Sequence, residues 1–509
     1  MLKLYSKCFQ LNNIKRAIKT VLSHSGSKTS GPDKINRQSN ISEERFIREI
    51  KLRLRRYKSV NSRKIKIPKD NGQFRELTII NIFDRMAQQC VYQIINPILE
   101  QNMSKYSYGF RLAISAKIPV SKACSSIVNN KEIYTVEIDF EKCFDNIPLD
   151  KALDSLRLLG INDGKLIKTI KHLMWTTKEY SGVGLSQGTV LGPILANCYL
   201  TRLDQFMEEN FILDKVDSAY CHNYSAHKGH WVQWHNKRHK KLHCKYYRYA
   251  DDTLILCKNK EEQDYINTMV REFIAKNLDI AINETKTKLG RNKFDFLGFK
   301  LKKNGHNVWI KIKDEAKLKA KIREFKFNNC REVDDFLKWL CGILNYFDIV
   351  NDAENILEYI THRLYERSRK NNNILIKIEG TCKYKYGIGN GRYRIIDVYS
   401  LRKNTKLSFK EYLFKSSWIR ERELLKSRTT SSEYRMFLWT LFTRQKGINP
   451  ITKNKLEITD LVIHHIKPKS KGGNDNLENL ILIDSETHKQ IHGKEKCNAE
   501  IEKYRKHLK

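Results

Sequence analysis

No stretch of the chain runs 18 apolar residues without a break, and Met1 to Gln10 lack the apolar centre of a secretory signal, so neither a membrane span nor export is expected. None of the 12 cysteines, scattered from Cys8 to Cys497, belongs to a Cys-x-x-Cys pair. That spacing fits reduced thiols in a cytosol-like compartment. Acids are scarce: 57 Asp and Glu face 95 Lys and Arg, for a net charge of +38. So basic a chain points to a nucleic-acid partner, with an acidic membrane surface as the rival. At 509 residues it exceeds a single core and divides into about two to four domains.

Within this basic background two adjacent acids stand out. Tyr249, Ala250, Asp251 and Asp252 lie inside KYYRYADDTLILCKN, whose β-branched and aromatic flanks predict two short strands joined by a tight turn. Two carboxylates at a hairpin tip repel unless cations sit between them. A solvated turn is the plain alternative, because Asp is common in turns. A third acid changes the balance. In IYTVEIDFEKCFDNI, the apolar Ile133, Val136 and Ile138 mark a buried strand with Asp139 at its end, where an unpaired carboxylate is costly. Three such acids suit two Mg²⁺ ions about 3.5–4 Å apart, clamping the attacking and leaving oxygens of an in-line phosphoryl displacement. The main-chain carbonyl of Phe140 is a further candidate metal ligand. Phe144 is placed either to wall a sugar pocket against a 2′-hydroxyl or to fill the core. Asp145 reads as locally paired and not catalytic.

Other segments supply the surroundings. NNIKRAIKTVLSH and ISEERFIREIKLRLRRYK have helical spacing, the second offering Phe46, Ile50, Leu52 and Leu54 for packing. RKIKIPKDNGQFRELTI predicts a hairpin with Lys69 and Arg75 flanking its turn, able to grip a triphosphate above an Asp site or to remain ordinary surface charges. SYGFR is either a strand-bracing aromatic loop or a core corner. In GLSQGTVLGPILANCYL, glycines before a long helix let Gln187 and Gly188 approach a nucleotide or template. Residues 215–248 hold six of the 15 histidines, in a spacing that fits a cationic nucleic-acid loop better than a closed zinc site. FDFLGFKLK reads as a strand, and Lys286 with the Gly298 turn as primer support. Residues 314–368 give three helix patterns, NNNILIKIEG a boundary, and GIGNGRYRII a loop. Basic residues with interleaved aromatics between 401 and 428 suggest phosphate contact or a charged helix surface.

The C-terminal stretch stands apart. His464 and His465 end an apolar strand, Asn479 follows a Gly-Gly turn, and His488 and His492 share one helix face. A divalent ion held by His464, His488 and His492 could bind a scissile phosphate while His465 deprotonates water, with Asn479 in support.

Seven blocks in order, SGPDKIN, IPKDNGQFREL with DRMAQQ, SYGFR, EIDFEKCFDNI, LSQGTVLGPILANCYL, YRYADD and FDFLGFKL, resemble the reverse transcriptase and maturase proteins encoded by group II introns. The resemblance implies that Asp139, Asp251 and Asp252 hold catalytic Mg²⁺, that Lys69, Arg75 and Gln187 handle the nucleotide beside Tyr249 and Ala250, and that Phe144 screens its sugar. It also implies intron-RNA-binding thumb or maturase helices at 314–368, near GILNYF. The tail resembles an HNH endonuclease domain, but Asn449-Pro450-Ile451-Thr452 and Thr487 stand where that family carries zinc-ribbon cysteines, so no structural zinc is expected. The SYGFR block departs too, reading Leu112-Ala113-Ile114 where a proline and second arginine are usual.

The expected architecture is α+β, a right-hand polymerase with fingers (1–130), palm (131–310), thumb or maturase helices (311–372), a basic linker (373–435) and a small ββα-metal HNH domain (436–509). Its expected partners are intron RNA, target DNA and deoxynucleotides, without a membrane and with a homodimer left open. Its compartment would be a bacterial cytoplasm, nucleoid-associated, or an organellar matrix or stroma. A reverse transcriptase of a stand-alone or defence element, and an RNA-binding splicing factor with a decayed polymerase, are the alternatives.

Overall fold

The computed structural model describes residues 4–55, 62–68, 72, 74–112, 114–128, 130–175, 181–212, 244–305, 307–351, 354–370, 374–388, 392–397, 441–442, 444–445, 447–454, 456, 461–468, 472, 477–493, 501 and 504. Two units share the chain, Met1–Leu413 and Phe414–Lys509. The strands of the first are β1 (Arg63–Pro68), β2 (Phe74–Ile79), β3 (Tyr134–Ile138), β4 (Lys245–Tyr249), β5 (Asp252–Cys257), β6 (Lys288–Arg291), β7 (Lys293–Phe296), β8 (Phe299–Asn304), β9 (Asn307–Ile312), β10 (Leu375–Lys377), β11 (Lys383–Ile388) and β12 (Arg392–Asp397). The second unit contributes β13 (Leu461–His465) and β14 (Leu480–Asp484).

The central sheet has strand order β4-β5-β3-β6 and is antiparallel throughout. Both faces of the central strands are covered, which is why β5 reads Leu254-Ile255-Leu256-Cys257 as one apolar run. On one face Val136, Ile138, Ile255 and Cys257 pack with Ile266, Val270 and Ile274 of the helix Lys260–Asn277. On the other, Tyr247, Leu254 and Leu256 pack with Val120, Cys124 and Ile127 of the helix Lys117–Ile127. The register sets Ile138 against Thr253, so the residues that follow β3 and precede β5 meet at one sheet end.

The hairpin β1-β2 pairs Arg63 with Ile79 through Pro68 with Phe74, as its alternation predicts. The helices expected at 12–24 and from 41 onward form at Leu11–Ser23 and Glu43–Arg55. Leu52, however, is 51% exposed, while Phe46, Ile50 and Leu54 are buried. Three helices, Glu315–Glu324, Cys330–Tyr346 and Glu354–Lys370, build their own core around Val333, Phe336, Leu340, Ile360 and Leu364.

Two segments differ from their sequence reading. FDFLGFKLK is two strands, β7 and β8, joined by Leu297 and Gly298, both at positive φ (51° and 79°) as a type I′ turn requires. The turn at Gly298 is where the sequence reading puts one; the pairing of the residues on its two sides is what a single-strand reading leaves out. Residues 375–397 are no linker: β10-β11-β12 form an antiparallel sheet. There Leu375, Tyr384, Tyr386 and Ile396 alternate inward onto the three-helix core.

In the second unit β13 and β14 pair antiparallel, and the helix Ser485–His492 follows directly, giving the expected ββα order. Among the described residues no helix is long and apolar enough to cross a membrane.

Candidate functional site

The acidic tip is the hairpin that the sequence predicts, with Tyr249 paired to Asp252 and Ala250-Asp251 as a two-residue turn. Ala250 carries a φ of 57°, an unusual value for a side-chain-bearing residue at the first central position, where hairpins ordinarily use Gly or Asn. The strain persists because its surroundings grip it. Gly109 lies so close that a Cβ there would stand 2.3 Å from the Ala250 nitrogen. The segment before Gly109 is pinned to β4 by Tyr108 N donating to Arg248 O (2.7 Å) and Arg248 N donating to Tyr106 O (2.9 Å).

Asp139 follows β3 next to this tip, its main chain fixed by Asn283 N donating to its carbonyl (2.8 Å) and by an antiparallel bridge between Phe140 and Ile282. Asp139 and Asp251 both push the Asp252 carboxyl upward, after burial as the larger cause, to about 6. Burial and Asp139 likewise raise Asp251, against Arg75 and Lys286. Asp252 keeps solvent exposure even though surrounding protein desolvates its carboxyl. Lys286 donates to Asp139 Oδ2 at 3.1 Å. Three hard, mutually repelling oxygen donors fit a divalent pair better than a single ion. Among the described residues, His464, His488 and His492 form the one trio of possible ligands whose donor atoms all lie within 4.8 Å of one another.

The residues holding the tip escaped the sequence reading. Arg248 is fully buried. It donates to Asp204 Oδ1 (2.7 Å) and Oδ2 (2.5 Å), Asn197 Oδ1 (2.9 Å), Ser107 Oγ (2.8 Å) and the Ala250 carbonyl (2.9 Å). All five guanidinium N–H groups are thereby satisfied. Tyr246 donates to Asp204 Oδ1 (2.8 Å), and Asn197 donates to Gly109 O (2.5 Å). One side chain thus ties the strained turn to the helix Gly192–Asn210 and to the Gly109 loop. Arg111, by contrast, turns inward onto Glu100, Ser104 O and Ser107 O, so SYGFR is chiefly a core corner.

Arg75 donates to the Gln187 side-chain carbonyl, and Gln187 Nε2 donates to Asp145 Oδ1 (3.4 Å). Thr78 N donates to Gln187 O (2.7 Å), locking β2 onto the glycine-rich loop. Gly188 is forced there, since a Cβ would meet Thr78 O at 2.6 Å. Phe144 is 7% exposed and meets Phe110 edge-on, centroids 5.9 Å apart. Arg75, Phe144 and Gln187 therefore gather beside the acids. Lys69, the histidine-rich stretch 221–243 and the basic stretch 401–428 lie outside the described residues.

In the second unit, His464 is 4% exposed and its Nε2 has no hydrogen-bond partner. His464, His488 and His492 rings lie 4.7–5.4 Å apart. Burial first, then neighbouring imidazoles, pushes His464 down to about 4, leaving a neutral imidazole at pH 7 that suits a divalent ion. His465 sits on the opposite strand face, paired with Leu480. Asn479 clasps the chain just beyond it, accepting from Lys467 N (2.8 Å) and donating to Lys467 O (3.0 Å). At the former cysteine positions, fully buried Asn449 donates to Asp484 Oδ2 (2.7 Å) and Thr487 Oγ1 (3.0 Å).

Residues 67–301 match the reverse transcriptase (RNA-dependent DNA polymerase) family model, and residues 452–494 the HNH endonuclease model. Protein YkfC of Escherichia coli (strain K12) is 28% identical over 302 residues, 56% of this chain and 79% of that protein. The group II intron-encoded protein LtrA of Lactococcus lactis subsp. cremoris is 28% identical over 316 residues, 51% of this chain and 52% of LtrA. The putative COX1/OXI3 intron 1 protein of Saccharomyces cerevisiae is 26% identical over 264 residues, 46% of this chain but 31% of its own length. The chain thus spans about half or less of both intron proteins. An apo telomerase structure from Candida Tropicalis aligns at 13% identity with a TM-score of 0.38, covering 75% of this chain and 68% of that one.

Proposed function

From the matches of residues 67–301 to the reverse transcriptase model and 452–494 to the HNH endonuclease model, we propose that the chain copies a group II intron RNA into DNA primed at a cut target. The observation that carries the reading is the convergence of Asp139, Asp251 and Asp252 at one sheet end beside Arg75 and Gln187. Mg²⁺ bound by these acids would neutralise the developing charge on the primer 3′-oxygen and the leaving pyrophosphate. The chain's own residues do the positioning. Arg75 offers a guanidinium fork to the triphosphate, held by Gln187, and Lys69, close to it in sequence, is the second cation assigned to that grip. Phe144, braced by Phe110, walls the sugar and favours a deoxynucleotide. Tyr249 and Ala250 carry the acidic tip against the primer end, and the Phe140 carbonyl completes the oxygen set.

In the tail, His464, His488 and His492 would hold a divalent ion that binds the scissile phosphate, His465 is the residue placed to take a proton from water, and Asn479 fixes the loop beside it. The tail cuts the target DNA, and the three-helix region from Glu315 to Lys370 contacts intron RNA as a splicing aid. Primer extension on an RNA template in Mg²⁺ tests the first activity. Asp251→Asn should abolish extension while RNA binding persists, and retained extension rejects the assignment.

A further inference from the structure

The sheet β7-β8-β9 is amphipathic in a way the polymerase site does not use. Phe294, Phe296, Phe299, Leu301 and Ile310 turn inward to the core. The opposite face carries lysines, and the register arranges them in rows. Lys293 pairs with Lys302, which pairs with Trp309; in the next row Asp295 pairs with Lys300, which pairs with Lys311. Adjacent strands lie about 4.8 Å apart and alternate residues about 6.7 Å apart, so this is one continuous cationic patch.

Two observations set it apart from a merely solvated face. Trp309 is 45% exposed on the edge strand, paired with Lys302 and two positions from Lys311. Lys303, the one buried lysine of the sheet, turns inward to donate to Ile127 O (2.6 Å) and Val128 O (3.2 Å), so the fold can place a lysine inside when it has carbonyls to satisfy. Asp295 stands among the outward lysines and pairs with Lys313 at 3.5 Å, and Asp314 and Glu315 border the same depression as Lys300 and Lys311, so cations outnumber acids on this face without excluding them. Lys313 N also donates to Gly298 O (2.9 Å), and the same residue is among the cations that act on Asp252, so the patch begins at the edge of the acidic site.

We propose that the outward face of β7-β8-β9 binds an unpaired segment of RNA, lysines on its phosphates and one base stacked on Trp309. Positive charge around an exposed indole is the chemistry that recognises a single strand, since every base has a stacking face but only an unpaired one can present it. RNA is the committed occupant because, in RNA-templated synthesis, the DNA product is paired and the unpaired stretches belong to RNA. In that choice of strand the inference rests on the polymerase reading.

The test uses the full chain without deoxynucleotides, with a short unstructured RNA carrying 5-bromouridine, and two variants: Lys300→Gln/Lys302→Gln/Lys311→Gln, and Trp309→Ala. Photo-cross-linking should map to the peptide containing Trp309 and be competed by unlabelled single-stranded RNA but not by duplex DNA. The triple variant should flatten the slope of log affinity against log salt by about 2, from roughly 0.7 per phosphate contact. Trp309→Ala should weaken binding roughly tenfold with the slope unchanged. Extension of a pre-annealed primer on a short template should survive in both variants. No cross-link to the sheet, equal competition by duplex DNA, or an unchanged slope in the triple variant overturns the proposal. A wild-type chain that binds RNA on this face but extends no primer would instead sink the polymerase reading alone.

Discussion

Arg248 and Asp204 form a bidentate ion pair with both side chains at 0% exposure, two residues before the strained Ala250 and 44 positions apart in sequence. Breaking one partner of such a pair leaves a buried charge, costing about 3–5 kcal/mol. Asp204→Asn should therefore lower urea stability by that amount. Replacing both, Arg248→Met with Asp204→Leu, should recover part of the stability, because apolar residues substitute for the buried pair itself while Tyr246, Asn197 and Ser107 lose a partner. Extension should stay depressed in the double variant, since the Ala250 carbonyl has lost its donor. Stability recovered together with full extension would show that the arginine only supports the fold.

Gly109→Ala gives a second, steric probe. The added methyl must displace the Ala250 backbone from 2.3 Å, and a shift of about 1 Å in reacting geometry costs on the order of 100-fold in rate. Single-turnover extension should fall by at least that factor, with RNA affinity preserved.

Asp252 yields a pH prediction. Its carboxyl, raised to about 6, binds a proton more tightly folded than unfolded, so in metal-free protein this group's contribution to stability falls as pH rises from about 4 through 6. Divalent binding must displace that proton. Apparent Mg²⁺ affinity, measured by calorimetry, should drop as pH falls below 6 and level off above it. In Asp252→Asn the dependence through pH 6 should disappear.

His464 has the opposite sign. Lowered to about 4, it stays neutral folded where an unfolded histidine would be charged, so stability is lost as pH falls from about 6.5 toward 4. Hydrogen exchange of the β14 amides should speed up through that window and slow on adding a divalent ion. His464→Ala should remove DNA cutting and leave primer extension intact.

What the sequence disclosed follows from where the information sits. The tip hairpin was legible because β-branched and aromatic flanks surround an acidic turn, and His488 with His492 because a helix brings i and i+4 together. His464 was grouped with them from the doubled histidine at a strand end, and the β13-β14 pairing carries that strand into the ββα unit. Arg248 with Asp204 was invisible: nothing local marks two residues that meet across a sheet and a helix. The Gly298 turn was legible but not that it pairs two strands across itself, and β10-β11-β12 hid among asparagines and glycines that ordinarily mark loops.

Counting ions at the acidic tip tests the central claim most directly. In a chain carrying His464→Ala to silence the tail, Mn²⁺ titration followed by electron paramagnetic resonance, with RNA template, a chain-terminated primer and the next deoxynucleotide bound, should give a dipole-coupled pair of ions per chain. Asp251→Asn should abolish the coupling. An identical, uncoupled signal with and without Asp251 would contradict the account.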